Sequence, residues 1–150
     1  MDGTTIATDR RPIGFWLKLV DRLIDESFDT LLMEAGLTRR HWQVLNVLLG
    51  EPATVRQIDT RLAPFLGIDE PTTRPVVDDL CARGWAVVAN GGRAALTAAG
   101  AAAQAELLEK VSDHRQRITE GMTTGEYAAT VAVLRRMAVN LGWDGAAGSA

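Results

Sequence analysis

Three features of the 150-residue chain predict a mainly α-helical protein with a small β-wing. Apolar residues recur every three or four positions over two long stretches, 12–36 and 97–142, the period of helices with one buried face. Between them lie two short helical patterns joined by a turn, TVRQIDTRLAPFLG and EPTTRPVVDDLCARG. The second runs directly into WAVVAN, a Gly-Gly pair and RAALT, which reads as two short strands around a glycine turn. Helix, turn, helix and two-stranded wing form a winged helix-turn-helix, whose second helix enters a DNA major groove with its N-terminal residues first. The expected architecture is therefore six helices, with a winged helix-turn-helix head over 38–96 and a helical dimerisation body built from 12–36 and 97–142.

In chain order, Pro12 suits a first helical turn and Gly36 a C-terminal cap. Between them Trp16, Leu17, Val20, Leu23, Ile24, Phe28, Leu31 and Leu32 keep helical spacing. At ~1.5 Å per residue this helix is roughly 36 Å long, more than a compact monomer of this size needs, and it calls for a partner helix. Thr38 is the N-cap of a second helix with Trp42, Leu45, Leu48 and Leu49 as its buried stripe, stopped by Gly50 and Pro52. Thr54 and Gln57 form a capping box for the third helix, and Pro64 ends or bends that helix near Leu62. The fourth is expected from Pro71 to Arg83, with Val76, Val77 and Leu80 inward and Thr72, Thr73 and Arg74 projecting from its first turn. Pro75 lies one turn inside, so either the helix kinks there or it starts late with Thr73 as cap. Thr97 caps the fifth helix, where Ala103, Leu107, Val111, His114 and Ile118 keep helical spacing and Gly100 and the alanines let another backbone approach. Thr123 and Glu126 form a second capping box, and Tyr127, Val131, Leu134, Met137, Ala138 and Leu141 are the apolar face of the sixth helix. There is no repeat and no internal boundary. The chain reads as one domain, 1–150, with loose tails at 1–11 and 143–150.

The composition fits this picture. At 47% hydrophobic and 23% charged the chain can build one ordinary core. It lacks a run of eighteen apolar residues, so no membrane span is expected. Its N-terminus lacks a signal peptide's apolar segment, and a cytoplasmic location follows. The single cysteine, Cys81, excludes an intramolecular disulfide and a cysteine metal cluster. Two distant histidines make no metal-ligand pattern, and no catalytic constellation or cofactor motif is present. The net charge is −3. From Thr54 to Thr97 five arginines (Arg56, Arg61, Arg74, Arg83, Arg93) meet five acids (Asp59, Asp69, Glu70, Asp78, Asp79). That neutral balance is unusual for a head that reads nucleic acid.

Three strings resemble the MarR family of bacterial transcription regulators, and the match extends over roughly Pro12 to Leu141. GLTRRHWQVL, Gly36 to Leu45, is similar to the family's second-helix motif. VVDDLCARGW, Val76 to Trp85, is similar to the end of its recognition helix and the start of its wing. LTAAG, Leu96 to Gly100, is similar to its Leu-Thr-x-x-Gly after the wing. The resemblance implies a homodimer whose first, fifth and sixth helices interlock. It also implies two heads on adjacent grooves of a palindromic double-stranded operator, and release from DNA when a small aromatic effector binds between head and body. The chain departs from the pattern in three places. The wing tip is cut to Asn90-Gly91-Gly92-Arg93 where the family has an Asp-Arg-Arg-like tip. Pro75 replaces a polar or basic residue, and the segment from Thr54 to Gly67 is about one helical turn longer.

The expected DNA contacts are Arg56, Thr72, Thr73, Arg74 and Arg93, with Arg93 reaching the minor groove. Each has a plainer role, as a solvated arginine or a helix-capping threonine. Trp16, His41 and Trp42 are the expected walls of an effector pocket, weighed against core packing for Trp42. Cys81 reads as a packed thiol rather than a redox sensor. The rival reading is a dimeric ligand-binding or protein-interaction module on this fold that has lost DNA binding.

Overall fold

The computed structural model describes residues 10–145; the outermost parts of the expected tails, 1–9 and 146–150, lie outside the described residues. The element order is α1 (Ile13–Glu34), α2 (Arg39–Gly50), β1 (Ala53–Thr54), α3 (Val55–Arg61), a 3-10 turn (Ala63–Phe65), α4 (Arg74–Ala82), β2 (Ala86–Val88), β3 (Arg93–Leu96), α5 (Ala98–Ile118) and α6 (Thr124–Asn140). Six helices and a three-stranded antiparallel sheet of order β1-β3-β2 give the expected winged arrangement. The chain divides into two compact units, Met1–Ser112 and Asp113–Ala150. The division falls inside α5, where the sequence carries no linker signal.

In the first unit, α1 follows Pro12 and closes on Gly36 at φ 71°. The Leu37 N–H reaches Leu32 O and the Gly36 N–H reaches Met33 O, both at 2.9 Å, which satisfies two terminal carbonyls at once. Thr38 caps α2 in a capping box whose return partner is His41 rather than Glu or Gln. The α2 stripe differs from the expected one. Arg40, Val44, Leu45 and Leu48 are buried, Trp42 is half-buried against the core, and Leu49 is exposed. Arg40 is buried because it serves the long α3–α4 connection: its guanidinium donates to Phe65 O at 2.8 Å, Gln43 Oε1 at 2.8 Å and Glu70 Oε2 at 3.3 Å. The extra turn seen in the sequence is thus pinned to α2.

Leu32, Val44, Leu45, Ile58, Val77, Leu80 and Val111 are the centre of the core. They draw together the end of α1, α2, α3, α4 and α5 around Val111, each fully buried branched side chain contributing about 1.5–3 kcal/mol. Thr97 leads α5 in: its hydroxyl accepts from the Gly100 N–H at 3.1 Å and donates to Gly84 O at 2.6 Å, and its own N–H reaches Trp85 O. This is the physical content of LTAAG, the string that ties the wing's base to the next helix. Gly100, Gln104, Leu107, Val111 and His114 form the buried α5 stripe. Ala103 is only half-buried and Ile118 exposed.

In the second unit the Thr123–Glu126 capping box forms as expected, and the backbone N–H of Thr123 holds the Glu126 carboxyl below its ordinary value. The expected apolar face of α6 is only partly covered within the chain. Leu134, Met137 and Ala138 are half-buried, whereas Tyr127, Val131 and Val139 are about half exposed and line an apolar groove along the helix.

Candidate nucleic-acid interface

The helix that should read DNA begins later than its sequence pattern. α4 starts at Arg74, with Thr73 at the N-cap and Pro75 inside the first turn, where its missing N–H costs nothing. The late start is therefore realised, and Pro75 lies ahead of the first intrahelical hydrogen-bond donors. Thr73 does not project. It is fully buried, and both its N–H and its hydroxyl donate to Asp59 Oδ1 at 2.7 Å. The Thr72 hydroxyl donates to the other carboxylate oxygen, also at 2.7 Å. The N-cap residue of α4 is thus held by a side chain of α3, while the first helical N–H, of Arg74, donates to the Thr72 hydroxyl at 3.2 Å. Burial works to raise the Asp59 carboxyl, but the hydrogen bonds from Thr73 and Thr72 outweigh it and hold it below the ordinary aspartate value. Of the expected DNA contacts, Thr73 is accordingly withdrawn into the frame, and Thr72 is half-buried with its proton committed to Asp59.

The arginines of the head fall into two groups. Arg61 pairs with Glu51 at 2.9 Å. Arg83 pairs with Asp79 at 2.8 Å and donates to Gly36 O at 2.9 Å. Arg56, Arg74 and Arg93 are exposed and make no salt bridge or side-chain hydrogen bond among the described residues. Arg56 and Asp59 lie one turn apart on the same side of α3, the side that holds Thr72 and Thr73, and Arg74 is close enough to Asp59 to help keep it ionised. Arg93 is not on the turn tip as its position after two glycines implies. It is the first residue of β3, paired across the sheet with Thr54, the N-cap of α3. The register sets it beside the start of α3, opposite a residue two positions before Arg56. The tip is the three residues Asn90, Gly91 and Gly92, closed by Ala89 N–H to Arg93 O at 2.9 Å, with both glycines at positive φ.

Most of the acids that neutralise the head on paper face internal partners. Asp59 holds α4, Glu70 meets Arg40, and Asp79 accepts from Arg83 and from His41 Nε2 at 2.8 Å. The Arg83 and His41 hydrogen bonds lower the Asp79 carboxyl, the former more strongly. Asp69 and Asp78 are exposed.

The expected effector walls are not gathered. Nδ1 of His41 accepts from the Thr38 N–H at 3.2 Å and Nε2 faces Asp79, so both ring nitrogens already have partners. The start of α2 contacts α1 at Asp25 and Asp29, through Arg39 at 3.0 and 2.6 Å. Trp16 lies nine residues before Asp25, about 14 Å along the helix, stacked edge-on against Phe15 and under the Arg11 guanidinium. What opens at this junction instead is a cleft lined by Arg39, Arg40, Gln43, Phe65 and Glu70. Cys81 is half-buried and its thiol is pushed up by burial and by Asp78, the opposite of an activated thiolate. The residues that sequence reasoning missed are Asp59 and Arg40. The signal for Asp59 was a helix start with two threonines and a proline, preceded by an unexplained acid in the previous helix.

No protein-family model matches the chain and no curated protein does. Solved structures do. Reduced MarR from Escherichia coli aligns at TM-score 0.65 and 20% identity over 89% of this chain and 98% of its own. A MarR-family protein of Mycobacterium tuberculosis, in complex with DNA, aligns at 0.64 and 21% over 89% and 99%. BpsR of Bordetella bronchiseptica, whose DNA binding is regulated by 6-hydroxynicotinic acid, aligns at 0.62 and 23% over 86% and 96%. Sequence motifs, element order and these alignments agree: the chain has the winged helix-turn-helix fold of the MarR proteins.

Proposed function

We propose that this protein is a DNA-binding transcriptional regulator that grips double-stranded DNA through Arg56, Arg74 and Arg93. The observation that carries the reading is the sorting of the head's charges. Three arginines at the starts of α3, α4 and β3 are exposed with no salt bridge or side-chain hydrogen bond among the described residues, while four of the six acids from Glu51 to Asp79 are turned to internal partners. Phosphate contacts from such arginines fix register on the duplex, and side chains on α4 read bases. The M. tuberculosis relative in complex with DNA supports the use of this fold for that purpose.

The regulator acts as a homodimer on a palindromic operator. The first half of α1 exposes Phe15, Trp16, Leu17, Val20, Leu23 and Ile24, each by 36–49%, and α6 exposes Tyr127, Val131 and Val139. Apolar faces this long mark an interface, and a two-fold pair is the commonest closed assembly. A small aromatic effector fits the same reading, supported by BpsR; here the cleft beside Phe65, lined by the paired Arg39 and Arg40, is the opening at the junction of α1 and α2. The target is chromosomal DNA in the cytoplasm. No described helix is long and apolar enough to cross a membrane.

Light scattering of the full chain, free and with duplex fragments from its own promoter region, tests the proposal. Two copies free and two copies per duplex are expected. A stable monomer at micromolar concentration contradicts the dimer, and absence of any complex with duplex contradicts the regulator.

A further inference from the structure

We infer that Asp78 determines base preference, selecting cytosine in the major groove; the inference rests on the DNA-binding reading above. α4 buries Val76, Val77 and Leu80, with Thr73 buried at its cap. At 100° per residue these four share one side of the helix. The opposite side is centred on Pro75, Asp78 and Ala82, all exposed. The flanks are already engaged: Asp79 is held by His41 and Arg83, and Cys81 is half-buried. Asp78 makes no hydrogen bond or ion pair among the described residues.

The outward face of the reading helix therefore offers a groove one acceptor, Asp78, framed by an apolar ring and a methyl group, with the exposed guanidinium of Arg74 one turn earlier as the neighbouring donor. The major-groove edges of the bases decide what it can meet. A carboxylate accepts from the cytosine N4 amino group; guanine presents only acceptors there, and adenine sets an acceptor beside its donor. Pro75 and Ala82 can pack on a thymine methyl but cannot hydrogen-bond. Asp78 placed against any base edge without a free donor gives up its water without replacement, so it penalises wrong bases as well as favouring the right one.

The test is selection from a randomised duplex library with the full chain, followed by anisotropy titrations on the selected duplex and on single base-pair replacements. Wild type is expected to enrich a cytosine in each half-site and to lose roughly tenfold in affinity when it is replaced. Asp78→Ala is expected to become indifferent at that position, within about twofold, while keeping its other preferences. Asp78→Asn is expected to shift the preference to adenine, whose N6 and N7 suit an amide. Asp78 is exposed and unbonded, and unchanged melting temperatures check that both variants fold. If Asp78→Ala keeps the same cytosine, or wild type binds duplexes with no base preference, this inference is overturned and the regulator reading stands. If wild type binds no duplex at all, that reading falls and takes this one with it.

Discussion

Gly100→Ala is expected to destabilise the protein by about 3 kcal/mol or more, at the upper end of overpacking costs. A Cβ at Gly100 would lie 1.9 Å from Trp85 O and 2.8 Å from its carbonyl carbon. Both are backbone atoms, and Trp85 O is also the acceptor for the Thr97 N–H. Relief requires α5 to move off the base of the wing, which breaks the Thr97 connection and opens the core around Leu107. Gly14 is the control. Nothing lies within 4 Å of where its Cβ would sit, so Gly14→Ala in the first turn of α1 should raise stability by up to about 1 kcal/mol. Urea unfolding of the two variants measures both. Equal, small effects would show that α5 does not pack as described.

Asp59→Ala should be almost as costly, at about 2–4 kcal/mol, and should also cripple DNA binding. Removing the carboxylate leaves the Thr73 N–H and hydroxyl buried without an acceptor, at about 1–3 kcal/mol for each orphaned donor. It also frees the start of α4, from which Arg74 projects. Adding Thr73→Val removes one orphaned donor, so the double variant should be more stable than Asp59→Ala alone. The same bonds predict a pH dependence. The folded state holds the Asp59 carboxyl below its unfolded value. Its stabilisation is therefore fully present above the unfolded pKa, near 4, and is lost as pH falls through the folded value. Wild type should lose more stability than Asp59→Asn as pH drops below about 4. Parallel acid-denaturation curves for the two would contradict this.

Much of the fold was legible because its signals are local. Capping boxes at Thr54 and Thr123, glycines past the ends of α1 and α4, and the Gly-Gly turn each name a boundary within a few residues. What escaped was set by partners distant in sequence. Asp59 reaches Thr73 across 14 positions and Arg40 reaches Glu70 across 30, and no periodicity reveals either. β1 was missed because two residues pairing with β3 leave no alternation to see. For α6 the pattern showed that a face is apolar, but an amphipathic pattern does not report whether this chain or a second copy covers it. At the candidate interface, Arg56, Arg74 and Arg93 were legible as exposed cations, but their separation from the paired Arg61 and Arg83 needed three-dimensional contacts. The count of five basic against five acidic residues pointed away from DNA; the placement of those charges points toward it.

If Arg56, Arg74 and Arg93 form the DNA grip, the salt dependence of binding should fall when they are removed. Affinity for an operator duplex is measured across a range of salt for wild type, for the triple variant Arg56→Ala/Arg74→Ala/Arg93→Ala, and for Arg61→Ala, whose guanidinium is held by Glu51. Each arginine–phosphate pair removed lowers the slope of log affinity against log salt by about 0.9. With three arginines in each of two copies, the triple variant's slope should be shallower by about five, while Arg61→Ala stays close to wild type. A triple variant that keeps the wild-type slope, or an Arg61→Ala variant whose slope falls as far, would show that DNA is not held by these three arginines.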